Sequence, residues 1–344
     1  MLDGCYFDKV KGAVYFPSRA YNAYQIYENY DRNEIDRDFG YAESAGLNAL
    51  RIFTSYEQYQ KDGENFFLKF DDLLDRATAH GIRVMSILFE NCGVPFTLEN
   101  ALSQDPRMAV CVQSPGKIIT DDPARWDMPF LYADMFMRRY RDDSRLLAIE
   151  VMNEPHAASG DVPFARALAM RCHAVKGTVP LTMGCITLED NLFFAEYLDI
   201  NQFHDNFPIS LKTFRENLEQ AAYMQHVVGK PVWLSEWQRL RLSGPGWDVP
   251  KIPDDEVPPA LATLADIVYS SGLGSFFWCL MIKAAYLPQQ RPNGTFNGLF
   301  HEDGSLYSFQ DFEAIAGKKP VGMIEGKHGP QWFEDEMKRY IGKV

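Results

Sequence analysis

The chain has 344 residues, of which 46% are hydrophobic and 24% are charged, and its formal net charge is −13 at pH 7. This length and composition are typical of one large globular domain with a sizeable core. The sequence has no long run of lysine and arginine. Because a nucleic-acid-binding surface needs a cationic footprint, a nucleic-acid partner is not expected.

The N-terminus and the cysteines predict a cytoplasmic protein. Asp3, Asp8, Lys9 and Lys11 interrupt the first 16 residues, so a signal-peptide core is missing, and no apolar run is long enough for a membrane helix. A chain whose leader had been removed would look the same, which leaves secretion open. Six cysteines are scattered without a C-x-x-C pair, as in proteins with reduced thiols. The seven histidines lack metal-binding spacing, and we expect no metal or cofactor.

Short apolar runs alternate with longer amphipathic segments along the whole chain. The apolar runs predict strands at 12–16, 47–54, 82–89, 146–153, 179–184, 199–207, 230–237 and 274–282. The amphipathic segments predict helices at 31–45, 66–80, 127–140, 163–176, 189–197, 211–228 and 259–271. Two Pro-rich loops, 91–124 and 241–258, interrupt this pattern.

Eight strands that alternate with helices predict an α/β fold, a single-domain (β/α)8 TIM barrel. A doubly wound sheet is the competing architecture, but no Gly-rich phosphate fingerprint follows any strand. After the eighth strand we predict a hairpin at 296–308 and a helix at 309–316. The predicted catalytic barrel spans 1–317, and 318–344 forms a C-terminal extension that packs on it, with a short helix at 331–341.

Catalytic groups of such barrels project from the C-terminal ends of the strands. The polar and aromatic residues at those positions are Arg51, Asn153, Glu154, His204, Asn206, Glu236 and Trp278. Cleavage of a glycosidic bond needs two carboxyl groups, one that protonates the leaving oxygen and one that attacks the anomeric carbon. Aromatic rings offer apolar faces to sugars. Glu154 and Glu236 are therefore the predicted catalytic pair.

Several segments resemble clan A glycoside hydrolases, and family 5 with its cellulase-like members in particular. These segments are IEVMNEP, KPVWLSEW, LNALRIF, FFWCL and GLFHEDGSL, and they occur in the family's order from about residue 12 to 310. The resemblance implies that Glu154 is the acid/base and Glu236 the nucleophile. It also implies that Arg51 lies beneath the nucleophile and that Trp278 forms the floor of the subsite at the cleaved bond.

The chain departs from the family pattern in two places. Family 5 members usually have His-x-Tyr after strand six, where this chain has His204-Asp205-Asn206. They also usually have a histidine at the end of strand three, where this chain has Phe89-Glu90-Asn91. The Tyr hydroxyl that contacts the nucleophile is therefore missing or is supplied from elsewhere.

Each candidate also has a structural interpretation. The alternatives are a helix-capping role for Glu154 before Pro155, an ion pair of Glu236 with Arg239 or Arg241, and core packing of His204 and Trp278. For Arg51 the alternative is a buried salt bridge, and strand alternation places Glu150 deeper in the barrel, within reach of Arg51. Further candidates for substrate contact are Glu90, Asn91, Trp237 and Trp247.

The sequence therefore predicts a retaining β-glycoside hydrolase that acts, endo or exo, on a β-linked glucan, mannan or related oligosaccharide. Its carboxyl groups should lie about 5–5.5 Å apart, and the charge of Glu236 should raise the pKa of Glu154. One alternative is a non-catalytic carbohydrate-binding barrel, which the missing Tyr favours. Another is aldolase or phosphate chemistry, for which Lys283 is the candidate lysine. The sugar, the linkage and the oligomeric state are not indicated.

Overall fold

The computed structural model describes residues 9–244 and 252–341 of the chain. Within them, eight parallel strands form one sheet: β1 Lys11–Tyr15, β2 Ala49–Phe53, β3 Arg83–Ile87, β4 Leu146–Asn153, β5 Leu181–Gly184, β6 Asn201–Asp205, β7 Val232–Trp237 and β8 Gly274–Phe277. The strand order is 5-4-3-2-1-8-7-6, so β1 pairs with both β2 and β8. The predicted barrel is confirmed, and the doubly wound alternative was wrong.

The barrel closes between β5 and β6 through single hydrogen bonds. The backbone amides of Asp199 and Ile200 donate to the carbonyl of Leu181, at 2.9 and 3.2 Å. The hydroxyl of Thr182 donates to the carbonyl of Ile200 at 2.9 Å. This seam brings the ends of β4, β6 and β7 to the same opening of the barrel, and these ends carry the predicted catalytic residues.

The α-helices of the described residues surround the sheet. They are α1 Ala23–Glu28, α2 Arg32–Ser44, α3 Tyr56–Lys61, α4 Gly63–Ala79, α5 Leu98–Leu102, α6 Lys117–Thr120, α7 Asp127–Tyr140, α8 Val162–Ala174, α9 Leu211–Val228, α10 Ala262–Ser270, α11 Phe309–Ala316 and α12 Gln331–Ile341. The helices predicted at 127–140, 211–228 and 309–316 have the predicted bounds. A serine N-cap and a glycine C-cap mark the ends of the second and third of these helices.

Helix α4 illustrates how the sequence produces one of these layers. The side chain of Asp62 accepts the backbone N–H of Asn65 and caps the first turn. Its buried residues are Phe66, Phe67, Phe70, Leu73, Leu74 and Ala77, which recur at helical spacing. Truncation of a fully buried Phe in such a layer costs about 3–5 kcal/mol.

The helix predicted at 189–197 was wrong. Residues Glu189–Phe193 form a 3₁₀ turn instead. The amide of Asn191 donates to the carbonyls of Leu188 and Gln202, at 3.0 and 2.8 Å, and its oxygen accepts the backbone N–H of Gln202. A side chain tied to the next strand holds the backbone as a tight turn, where a helix would carry Asn191 away from β6.

The C-terminal region packs beside β8. The predicted hairpin is present, since Phe300 and Leu306 form an antiparallel bridge and Gly304 adopts φ +82°. Two short antiparallel strands, β9 Lys283–Ala284 and β10 Phe296–Asn297, precede it. The ring of Phe333 from α12 lies 5.5 Å from the ring of Phe296. The division into a catalytic barrel at 1–317 and an extension at 318–344 stays a prediction.

Among the described helices, none has both the length and the apolar composition that a bilayer crossing requires.

Candidate active site

A cleft of about 470 Å³ opens at the C-terminal ends of the strands. Seven of the predicted residues line it: Glu90, Asn153, Glu154, His204, Asn206, Glu236 and Trp278. A second cavity of about 480 Å³ lies between the 296–308 hairpin and α12, with Arg19, His301 and Trp332 in its wall. Because this cavity contains none of the predicted residues, and so neither of the two carboxyl groups predicted to be catalytic, the strand-end cleft is the candidate active site.

Arg51 lies beneath the cleft and contacts two of the residues that line it, Glu236 and Asn153, together with the buried Glu150. Its Nη1 donates to Oε1 of Glu236 at 2.5 Å, and its Nη2 donates to Oδ1 of Asn153 at 2.6 Å. Nε and Nη2 also donate to the two carboxylate oxygens of Glu150, at 2.7 and 2.5 Å. The expected contacts with Glu236 and Glu150 are present. However, Arg51 is fully buried and does not line the cleft, so its predicted contact with substrate was wrong.

Burial alone would lower the pKa of Arg51, but the charges and hydrogen bonds of Glu150 and Glu236 outweigh burial and raise it. The guanidinium group therefore stays charged under two carboxylates. Since a buried charge is tolerated only when it is paired and hydrogen-bonded, Arg51 and Glu150 together form the base on which Glu236 rests.

Two features of β4 and β5 make room for the ion pair of Arg51 and Glu150. A Cβ atom on Gly184 would lie 2.2 Å from Oε1 of Glu150 and 3.0 Å from Nη2 of Arg51, so only glycine fits there. The pairing of β4 with β5 shifts register between Glu150 and Asn153. Such a bulge re-aims side chains, and it lets two residues three positions apart both contact Arg51.

The carboxylate of Glu236 receives a donor on each oxygen. Oε1 accepts from Arg51, and Oε2 accepts from Nδ2 of Asn206 at 2.9 Å. The Nε2 group of Gln238 donates to Oδ1 of Asn206 at 3.0 Å, which orients the Asn206 amide with its donor toward Glu236. Asn206 thus makes the contact that a Tyr hydroxyl was expected to make. Arg239 and Arg241 do not pair with Glu236; Arg241 instead binds Glu256.

The backbone of Glu154 is strained. Its φ is +49°, a left-handed conformation that costs a non-glycine residue about 1–3 kcal/mol. Its N–H donates to the carbonyl of Gly184 at 2.7 Å, and its carbonyl accepts from Nδ2 of Asn91 at 2.8 Å. These two bonds fix the position of Glu154. Asn91 also donates to Ser159. It is absent from the lining of the cleft, because its amide faces the Glu154 backbone, and its contact with substrate stays a prediction.

The side chain of Glu154 contacts an imidazole and a thiol. Nδ1 of His204 lies 2.5 Å from Oε1, and the thiol of Cys92 donates to Oε2 at 2.7 Å. Burial raises the pKa of Glu154, but the hydrogen bond and charge of His204 outweigh burial and lower it. Burial alone would lower the pKa of His204, but the carboxylates of Glu236 and Glu154 outweigh the effect of burial, so that the pKa is raised. The expected raised pKa of Glu154 was wrong, since the sequence showed its carboxylate partner but not the imidazole.

Glu90 and Asn153 complete one wall. Nδ2 of Asn153 donates to Oε1 of Glu90 at 2.9 Å, while its Oδ1 accepts from Arg51. Burial raises the pKa of Glu90 to about 8, although hydrogen bonds from Asn153 and Cys92 act in the opposite direction. The site therefore contains a third carboxyl group, whose environment differs from those of Glu154 and Glu236.

The outcome differs for each of the three tryptophans predicted to contact substrate. Trp278 is half-buried, lines the cleft, and lies with its ring 5.9 Å from the ring of Phe16. Trp237 is fully buried, with ring neighbours Tyr269 and Phe277 at 6.2 and 6.0 Å. Its predicted substrate contact was wrong, because successive strand residues face opposite sides and Glu236 takes the inner one. Trp247 lies outside the described residues.

Sequence reasoning missed several residues of the cleft, namely Phe53, Cys92, Cys111, Asp205, Gln238 and Tyr286. Extending the search three residues past each predicted strand would have found Cys92 and Gln238, which follow the predicted strands 82–89 and 230–237. Cys111 and Tyr286 come from loops with no periodic signal, so only the tertiary structure identifies them.

One set of side chains has the composition of a metal site. Single ligand atoms of Glu154, His204 and Glu236 lie within 4.8 Å of one another in the described part of the chain. Carboxylates and imidazole suit Zn²⁺ or another divalent ion. Glu236 is already bound by Arg51 and Glu154 by His204, so a cation here would have to displace these partners. The expectation that no metal is needed stays a prediction.

No protein-family model and no curated protein sequence matches the chain. Similar solved structures include exo-β-1,4-mannosidase Op5Man5 from Opitutaceae bacterium strain TAV5, with 14% identity over 95% of this chain and 59% of that one, and TM-score 0.61. A family 5 glycoside hydrolase mannosidase from Rhizomucor miehei has 13% identity over 97% and 94%, and TM-score 0.58. GH5_18 from Streptomyces cattleya, in complex with GlcNAc, has 14% identity over 89% and 78%, and TM-score 0.60. The chain shares the barrel fold of these structures.

Proposed function

We propose that this protein is a retaining β-glycoside hydrolase, with Glu236 as nucleophile and Glu154 as acid/base. The observation that carries the proposal is that an oxygen of Glu154 and an oxygen of Glu236 lie within 4.8 Å of each other across the cleft. Retaining enzymes hold their two carboxyl groups about 5–5.5 Å apart, whereas inverting enzymes need about 6.5–9.5 Å for a water molecule.

The surroundings of Glu236 support its role as nucleophile. Its two oxygens accept N–H groups of Arg51 and Asn206, which favour the charged form of a carboxylate. In the first step an oxygen of Glu236 forms a bond to the anomeric carbon while the bond to the leaving oxygen breaks. The product is a glycosyl ester on Glu236, and the departing oxygen takes a proton from Glu154.

The contact between Glu154 and His204 supplies that proton. In the free enzyme the lowered pKa of Glu154 and the raised pKa of His204 both favour a proton on the imidazole, whose Nδ1 lies 2.5 Å from Oε1 of Glu154. A leaving group next to Glu154 draws this proton across the hydrogen bond. In the second step Glu154 deprotonates the water that cleaves the ester, and His204 again stabilises the charge.

For the substrate, we propose β-mannosides first. Two of the structures that share this fold carry mannosidase names, and the third contains GlcNAc. Trp278 offers an aromatic face in the cleft, as sugar C–H surfaces require. A screen of β-linked glycosides and polysaccharides tests this proposal against other sugars and distinguishes endo from exo action.

The other functions considered from the sequence have less support. The non-catalytic barrel was favoured by the missing Tyr, and Asn206 now supplies a donor to Glu236. Lys283 does not line the carboxylate cleft, and its amino group donates to the backbone carbonyls of Pro17 and Ala20. A Schiff-base role needs a free amine, so aldolase chemistry is not proposed.

Chemical rescue tests the assignment. Glu236→Ala should abolish hydrolysis of aryl β-glycosides, and added azide should restore release of the aryl group by attacking the anomeric carbon itself, with an α-glycosyl azide as product. Glu154→Ala should give the β-azide, because azide then attacks the glycosyl ester in place of water. Glu196→Ala, which removes an exposed partner of Arg166, is the control and should keep wild-type activity. Wild-type activity in either cleft variant would refute the proposal.

A further inference from the structure

Glu90 is a third carboxyl group in the cleft, to which the proposed hydrolysis gives no role. It follows β3 and forms backbone bridges with Ser114 and Asn153, so its position is set by two neighbouring segments. Only 3% of its surface is exposed, and Glu90 is one of the residues that line the cleft. A buried carboxyl group that costs stability and lines a binding cleft is a candidate for ligand contact.

The two oxygens of Glu90 have different partners. Oε1 accepts the backbone N–H of Cys92 at 2.6 Å and Nδ2 of Asn153 at 2.9 Å. Oε2 has the thiol of Cys111 at 3.5 Å, a weak contact. An oxygen that accepts two N–H groups is poorly suited to carry a proton, so a protonated Glu90 carries it on Oε2.

No cation of the described residues pairs with Glu90. The guanidinium of Arg51 is occupied by Glu150, Glu236 and Asn153. The other titratable groups around Glu90 come from every neighbouring segment: Cys92, Cys111, Glu154, Glu236 and Tyr286 in the cleft, His204 beyond Glu154, and Glu57 behind Ser114. Two of the nearest are the catalytic carboxylates, which oppose a further negative charge.

We propose that Glu90 contacts the substrate as a neutral carboxylic acid, with Oε2–H donating a hydrogen bond to an oxygen atom of a neutral sugar. This inference rests on the proposed function and names the substrate class: sugars that present an oxygen acceptor at this wall. An amino sugar with its ammonium group here would need Glu90 ionised. Anionic sugars would meet Glu154, Glu236 and Asp205 in the same cleft.

The direction of the pKa of Glu90 agrees with this geometry. Burial raises it to about 8, so the carboxyl group is mainly protonated at pH 7 and ionised at pH 9. Ionisation removes the donor, and the substrate oxygen then faces a negative charge. Binding should therefore weaken as the pH rises through about 8.

The pH dependence of KM tests the proposal. With an aryl glycoside, the wild-type KM should rise about tenfold between pH 7 and pH 9, as for one group titrating near pH 8. Glu90→Gln, whose amide donates at all pH values, should have a reduced but measurable kcat/KM at pH 7 and should lose the rise in KM. Glu57→Gln, which neutralises a buried carboxyl group outside the cleft, is the matched control and should keep the rise. Loss of activity in Glu90→Gln comparable to that of Glu236→Ala, or a flat wild-type KM, would overturn the proposal.

Infrared spectroscopy separates this inference from the proposed function, because it needs no substrate. The difference spectrum of wild type minus Glu90→Gln should contain a carboxylic-acid C=O band at pH 7 that is lost by pH 9.5. A carboxylate band at pH 7 would contradict the inference. If Glu90→Gln does not fold, Glu90→Ala replaces it in the same comparison. A protein that shows the acid band but hydrolyses no glycoside would refute only the hydrolase function.

Discussion

Nδ2 of Asn206 donates to Oε2 of Glu236 at 2.9 Å, and it does so where a family 5 enzyme usually has a tyrosine hydroxyl. The amide is held in this orientation by Gln238. The carboxylate is therefore bound on both oxygens, once by Arg51 and once by Asn206. A site without the tyrosine thus still holds the proposed nucleophile with a hydrogen bond on each carboxylate oxygen.

Removal of this donor should slow the reaction. A hydrogen bond to a charged group contributes about 1.5–3 kcal/mol, so Asn206→Ala should reduce kcat about 10- to 100-fold. Asn206→Asp should reduce it further, because it places a second negative charge against Glu236. Asn217→Ala is the matched control, since Nδ2 of Asn217 donates to Asp205 at the same 2.9 Å distance but contacts neither catalytic carboxyl. Equal losses in Asn206→Ala and Asn217→Ala would contradict the assigned role.

A single methyl group should disrupt the base of the site. In Gly184→Ala the new Cβ would meet Oε1 of Glu150 at 2.2 Å and separate it from Arg51. Because breaking a buried ion pair costs about 3–5 kcal/mol, we expect a large loss of stability and a loss of activity. Gly40→Ala in α2 meets its nearest atom at 3.5 Å and should be neutral or stabilising by up to about 1 kcal/mol. Urea unfolding of both variants measures the difference, and equal stabilities would count against the packing argument.

The two neighbouring tryptophans should separate binding from stability. Trp278→Ala removes a half-buried ring from the cleft and should raise KM about tenfold with little change in stability. Trp237→Ala removes a fully buried ring and should destabilise the fold by about 3–5 kcal/mol. Kinetics and thermal unfolding of both variants check this contrast. A large loss of stability in Trp278→Ala with an unchanged KM would indicate that Trp278 is a core residue and does not contact the substrate.

Glu57 should make stability depend on pH. Burial raises its pKa to about 7, while the hydroxyl of Ser114 donates to it at 2.6 Å. Between about pH 4.5 and pH 7 the folded protein keeps this proton and the unfolded chain has released it. The stabilisation is thus complete below about pH 4.5 and is lost as the pH rises through about 7, by on the order of 3 kcal/mol.

Urea unfolding at pH 5 and pH 8 measures this contribution. Glu57→Gln cannot ionise and should show a smaller fall in the free energy of unfolding than the wild type. Exposed Glu219→Gln serves as control and should behave like the wild type. Asp38 and Glu90, with raised pKa values of about 7 and about 8, act in the same direction, so part of the fall should persist. If the free energy of unfolding falls as much in Glu57→Gln as in the wild type, the carboxyl group of Glu57 is ionised in the folded wild-type protein.

The sequence predicted the order and type of most elements because hydrophobic period and Gly or Pro punctuation are local signals. The strand that ends in Asn153 and the helix 211–228 have the predicted bounds for that reason. The bulge between β4 and β5, the 3₁₀ turn around Asn191 and the imidazole beside Glu154 depend on contacts between distant segments. The pKa shift of Glu154 was therefore predicted in the wrong direction, although its position after β4 and close to Glu236 was predicted correctly.

The central claim is that Glu236 forms a covalent bond to the sugar while Glu154 supplies and removes protons. Incubation with 2-deoxy-2-fluoro-β-mannosyl or glucosyl fluoride, followed by mass spectrometry of the intact protein and of its peptides, tests this claim most directly. We predict a mass increase of one fluoroglycosyl residue, located on the peptide that contains Glu236. An adduct on Glu154 or Glu90, or bound sugar without any adduct, would contradict it.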